Sequence, residues 1–148
     1  MLLSQLHEFH FVMDRGLKNS LMDLRLFKKF GSLSGVIAGI LSMISPVIKR
    51  EHKWGEQRGS RYMYVSDDPD EIREHVHTYL PGKVYRELKL MHQDLNVYSI
   101  AQLVRGFLRF FLDVVNEYGD KTFDELQRLF RTWKNEIEKN SLTPREII

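Results

Sequence analysis

Between Ile100 and Val115 only four side chains are polar, Gln102, Arg105, Arg109 and Asp113, and they step by three, four and four residues. On a helix that spacing makes one narrow stripe. The remaining circumference is Ile100, Leu103, Val104, Phe107, Leu108, Phe110, Phe111, Leu112, Val114 and Val115. A helix apolar nearly all round has to be buried nearly all round. A chain of 148 residues has few other elements to spare for such cover. A twofold partner would supply it, and a central place in a monomeric bundle is the alternative.

The segment before this helix is one-sided. Val84, Leu88, Met91 and Leu95 step by four, three and four, while Lys83, Arg86, Lys89 and Gln93 lie off that stripe. Pro81 suits the first turn of a helix, where its missing N–H costs nothing. Asn96 suits a left-handed stop, and Ser99 suits the cap of the next helix. Residues 72 to 80 fit two patterns. As a strand, Val76, Thr78 and Leu80 face one way and His75, His77 and Tyr79 the other. As a helix, Ile72, Val76 and Leu80 align at four-residue spacing behind the helix-starting run Asp68-Pro69-Asp70-Glu71. The β-branched and aromatic content of Val76 to Tyr79 favours the strand.

Tyr79-Leu80-Pro81, then Val84 and Leu88, then Ser99-Ile100-Ala101-Gln102-Leu103-Val104-Arg105 with Leu108, resembles the ribbon-helix-helix family of repressors and antitoxins. The resemblance covers roughly residues 75–115. It implies a homodimer whose two strands pair into a ribbon that enters the major groove of double-stranded DNA. It puts His75, His77 and Tyr79 against the bases. Ser99 and Ile100, at a helix N-terminus, would hold a phosphate. Val76, Leu80, Leu88, Leu103, Val104, Phe107, Leu108 and Phe111 would form the dimer core.

The N-terminal region, residues 1–48, reads as helical. Leu3, Leu6, Phe9 and Met13 form one stripe, and Leu17, Leu21, Leu24 and Leu26 or Phe27 another, with Gly16 between them. His7 and His10 would share a face of such a helix, and His75 and His77 a face of a strand. Neither pair has an evident third ligand, so no metal is expected. Residues 31 to 48 carry no charge, and Gly31, Gly35 and Gly39 recur every four residues. That spacing allows close helix packing in a membrane. Four serines and the interruption at Pro46 favour a buried helix with close backbone contact instead.

Residues 49–70 read as a basic linker or arm, in which Arg58 and Arg61 would add phosphate contacts. Arg61 to Val65 fits a short strand and Ser66 to Pro69 a turn. Residues 71–118 form the resembling core, and 119–148 a C-terminal amphipathic helix and tail. There Gly119 marks a helix end and Thr122 with Glu125 a capping box. Phe123, Leu126, Phe130, Trp133 and Ile137 form the apolar stripe of a helix to about Asn140, with a loose tail from Ser141. No internal repeat or low-complexity tract is expected.

The expected fold class is therefore mainly α: a dimeric ribbon-helix-helix-like core of one short strand and two helices, with further helices at both ends. A net charge of +2 demands no nucleic-acid partner. The absence of cysteine removes disulfides, thiolate metal sites and cysteine nucleophiles, and fits a reducing cytosol. The N-terminal residues lack the basic start and apolar run of a signal peptide. No phosphate-binding glycine loop, nucleophile elbow or metalloprotease motif is present, so neither an enzyme nor a cofactor is expected. The expected function is a cytoplasmic, dimeric DNA-binding transcriptional regulator. The alternatives are a helical interaction protein without a nucleic-acid role, and membrane association through residues 31–48.

Overall fold

Alternation decides the structure around His77. The computed structural model describes residues 6–50, 72–94 and 99–147. Within them run β1 (Leu6–Asp14), α1 (Arg15–Met22), α2 (Arg25–Phe30), α3 (Leu33–Arg50), β2 (Arg73–Pro81), α4 (Gly82–Asp94), α5 (Ile100–Tyr118) and α6 (Phe123–Ile147). The described chain is mainly helical, with one two-stranded antiparallel sheet. In β2, Val76, Thr78 and Leu80 are buried and His75, His77 and Tyr79 are exposed, as the strand pattern requires.

The partner of β2 corrects the reading of the N-terminus. Leu6–Asp14 is a strand, not the first stripe of a helix. Leu6, Phe9 and Met13 do fit helical spacing, but Phe9, Phe11 and Met13 also alternate with His10 and Val12. The alternating set is the one that packs on the core, where Phe11 and Met13 are buried and Phe9 partly so. The helix begins at Arg15, so Gly16 lies inside it rather than between two helical stripes. Leu17, Leu21, Leu24 and Leu26 are buried as expected, with a break after Met22.

The expectation of no internal repeat is also corrected. The strands pair from Leu6 opposite Pro81 to Asp14 opposite Arg73, with His10 directly opposite His77. The constant offset that carries His10 to His77 carries β1 onto β2, the start of α1 onto that of α4, and the start of α3 onto that of α5. It also matches Leu21 with Leu88, Ser32 with Ser99, Gly39 with Gly106, Leu41 with Leu108 and Val47 with Val114, each an identity. Burial follows the same offset: Leu41 and Leu108, Ile44 and Phe111, Ile40 and Phe107, Met13 and Leu80 are all fully buried. Strand pairs fall symmetrically about His10–His77, so that Phe9–Thr78 maps onto Phe11–Val76. The strand register is thus pseudo-twofold about that pair, and the same offset relates β1, α1 and α3 to β2, α4 and α5, with the short α2 extra in the first half.

The first half of the chain therefore supplies the cover that α5 needs. The residues expected at a dimer interface, Val76, Leu80, Leu88, Leu103, Val104, Phe107, Leu108 and Phe111, are all buried within one chain. They share a core with Met13, Leu21, Ile37, Ile40, Leu41 and Ile44 of the other half. α6 breaks the symmetry, packing chiefly on α3 with Leu126, Phe130 and Trp133 buried. It runs on to Ile147 without the expected break at Ser141. The apolar stripe ends at Ile137, so the periodicity carried no sign of that last stretch.

The uncharged stretch forms α3, and helix continues through Pro46 to Arg50. Its glycines meet a side chain rather than a backbone. A Cβ at Gly35 would lie 2.8 Å from Phe30 Cβ, and one at Gly39 2.8 Å from the Phe30 ring, so both are small to admit that side chain. Gly31 instead ends α2 at φ 74°, a left-handed conformation that suits glycine. Among the described residues no helix is long and apolar enough to cross a membrane. The expected arm at 51–70, with Arg58, Arg61 and the strand and turn read there, lies outside the described residues, as does the stop at Asn96.

Candidate nucleic-acid interface

A two-stranded sheet covered by helices on one face leaves the other to solvent. The open face carries three cross-strand pairs: Glu8 opposite Tyr79, His10 opposite His77, and Val12 opposite His75. Tyr79 is 49% exposed, and the side chains of His10, His77 and Glu8 are 63, 43 and 54% exposed. The imidazoles of His10 and His77 stack with centroids 3.9 Å apart, and the Tyr79 ring lies 5.0 Å from that of His77. Both histidines reach the same Glu8 oxygen through Nε2, His10 at 2.9 Å and His77 at 2.6 Å. The hydrogen bond from His10, aided by His77, holds the Glu8 carboxyl below the ordinary carboxylate range.

One end of the ribbon is tied down by charge. Buried Asp14 accepts from Arg109 Nη2 at 2.8 Å and lies 3.6 Å from Arg73 Nε. Glu74 receives Arg15 Nε at 2.7 Å and Lys18 Nζ at 2.6 Å. Both outer edges are also engaged. Ser34 Oγ accepts from Tyr79 N at 3.2 Å, and Arg105 Nη1 donates to Val12 O at 2.8 Å. Val12 and Tyr79 are counterparts, so β2 is held by α3 and β1 by α5 at the same place in the strand. Such contacts keep a two-stranded sheet from pairing further at its edges. Burial lowers the Arg105 pKa, and the neighbouring Arg73 charge adds to the effect.

Two capped helix N-termini belong to the same symmetric set. Ser99 Oγ accepts from Gln102 N at 3.0 Å at the start of α5. Ser32 Oγ accepts from Gly35 N at 3.1 Å at the start of α3, at the equivalent positions.

The residues expected to face DNA fall into three groups. His75, His77 and Tyr79 share the open face of β2. Ser99 caps α5, and Ile100 is partly buried against the core beside it. Arg58 and Arg61 lie outside the described residues. Glu8, His10 and Val12 complete the face and were missed. Their signal was the alternation of Phe9, Phe11 and Met13, read instead at helical spacing. His7 and His10 prove to lie on opposite faces of β1 rather than together. His7 stacks on Tyr85, ring centroids 3.5 Å apart. An open groove of about 240 Å³ between α3 and α6 is lined by Met43, Val47, Phe130 and Lys134 among others, but gathers no comparable set of donors and acceptors.

No family model, curated protein or solved structure matches this chain.

Proposed function

We propose that the chain is a DNA-binding regulator that uses one molecule where the ribbon-helix-helix pattern uses two. The observation that carries the reading is the open ribbon face centred on the pseudo-twofold pair His10–His77, with a serine-capped helix following in each half. Ser32 to Leu41 occupies the positions equivalent to Ser99 to Leu108, which supports reading each half as one copy of the strand, helix and capped helix that the resemblance implies. A two-stranded ribbon has the width to enter a major groove. The face offers imidazole, phenol and carboxylate groups to base edges, and a carboxylate can accept from cytosine N4. The N–H groups at the starts of α3 and α5 suit phosphates on either side. Contacts of the first kind specify sequence, and those of the second position the protein. The function proposed is transcriptional regulation, with the duplex as the partner.

The test is a titration of the full chain against a selected site and a random duplex at two salt concentrations. Wild type is expected to bind with an affinity that falls as salt rises. His77→Ala is expected to narrow the gap between the two duplexes by about 1–3 kcal/mol, the usual worth of a base contact. If no duplex is bound in a salt-dependent way, the ribbon serves another partner and the regulator reading fails.

A further inference from the structure

One donor atom each from Glu8, His10 and His77 lies within 4.8 Å of the other two. We propose that these three side chains form a binding site for a single transition-metal dication, of the zinc or nickel class, on the pseudo-twofold axis of the ribbon. The inference rests on the geometry of the ribbon and is independent of DNA binding.

The donor set is two imidazoles and one carboxylate. Calcium and magnesium prefer oxygen donors throughout, whereas imidazole suits zinc, nickel and copper. Bonds of about 2.0–2.2 Å at a tetrahedral ion put donor atoms about 3.3–3.6 Å apart. The Glu8 oxygen already stands 2.9 and 2.6 Å from the two Nε2 atoms. A small opening of three exposed side chains would admit an ion, which would replace the hydrogen bonds that now join them. Solvent can fill its remaining positions, because no one of the three is buried.

The backbone sets this arrangement in advance. His10 and His77 are directly opposed in the sheet. Slipping that register by one residue would turn buried Phe11, Met13, Val76 and Leu80 to solvent. The ligand separation is therefore fixed by the core, not by the ligands. Glu8 and His10 sit two apart on one strand and so point to the same face. The site is not itself symmetric. The counterpart of Glu8 is His75, so only β1 contributes a carboxylate.

The experiment is calorimetric titration of the chelator-treated full chain with zinc chloride and, separately, nickel chloride, without DNA. Wild type is expected to bind one ion per chain. His10→Ala, His77→Ala and Glu8→Gln are each expected to weaken binding by about tenfold or more. His92→Ala, in α4 away from the ribbon face, is expected to bind as wild type does. Thermal melts with and without zinc provide the second readout: the ion should raise Tm in wild type and not in the doubly substituted His10→Ala, His77→Ala chain. The ligands are exposed, so that variant should still melt cooperatively. Wild type that binds neither ion would overturn the proposal. So would a double variant that keeps wild-type affinity, since the ion would then sit on other histidines.

Discussion

Glu74 shows what one half-buried carboxylate can do at a strand end. Hydrogen bonds from Lys18 first and Arg15 second hold its carboxyl below the usual range, and the charges of both add to this. A depressed folded pKa favours the native state above the unfolded value of about 4.3, and that support is lost as pH falls through the folded value. Glu74→Gln is therefore expected to destabilise the protein near neutrality and to flatten the acid limb of a stability–pH curve. Urea melts at stepped pH read this directly. Identical acid limbs for wild type and variant would show that the Lys18 and Arg15 contacts contribute nothing. Glu125 obeys the same rule through its Thr122 hydrogen bonds, and here the sequence was readable. Thr122 Oγ1 receives Glu125 N at 3.3 Å, while Glu125 Oε1 accepts from Thr122 N at 3.3 Å. A capping box is local, so its two residues announce it together. The Glu8–His10–His77 cluster is not local. Two of its members lie far from the third in sequence, and no spacing rule joins them until β1 pairs with β2.

At the scale of elements, α5 was legible because its polar stripe is narrow and unbroken. β1 was not, because Leu6, Phe9 and Met13 satisfy the helical period while Phe9, Phe11 and Met13 satisfy the strand period. The tie is broken by β2, which sits at a remote position in the chain and offers a partner with matching alternation. The duplication hid for a related reason. Its halves share few identities, and apolar residues replace one another freely where volume is kept, as Ile44 and Phe111 do. Only the strand register fixes the offset at which the halves should be compared. That equivalence is testable. Leu41 and Leu108 are both fully buried counterparts, so Leu41→Ala and Leu108→Ala should each cost about 2–5 kcal/mol. Chemical denaturation measures both. A near-neutral value at either position would show that the halves do not share one core.

At the scale of the whole molecule, the position of the twofold axis decides what one chain presents. Read from the sequence, β2 pairs with a second copy of itself. In the structure its partner is β1 of the same chain, and α3 and α5 are buried together. One chain then presents the complete ribbon face, with His10 and His77 at its centre. If the proposed binding holds, one chain suffices for it, and affinity for a ligand on that face should not depend on subunit dissociation. The absence of cysteine makes the axis directly measurable. Directly opposed residues of an antiparallel pair place their Cβ atoms about 4.5–5.5 Å apart, close enough for a disulfide after small adjustment. The measurement is oxidation of His77→Cys alone and of His10→Cys combined with His77→Cys, followed by mass analysis without reductant. The double variant is expected to close a disulfide within one chain of about 17.6 kDa, and the single variant to form no covalent dimer. Efficient dimerisation of His77→Cys alone, with no internal closure in the double variant, would place the axis between chains and contradict the pairing of β1 with β2.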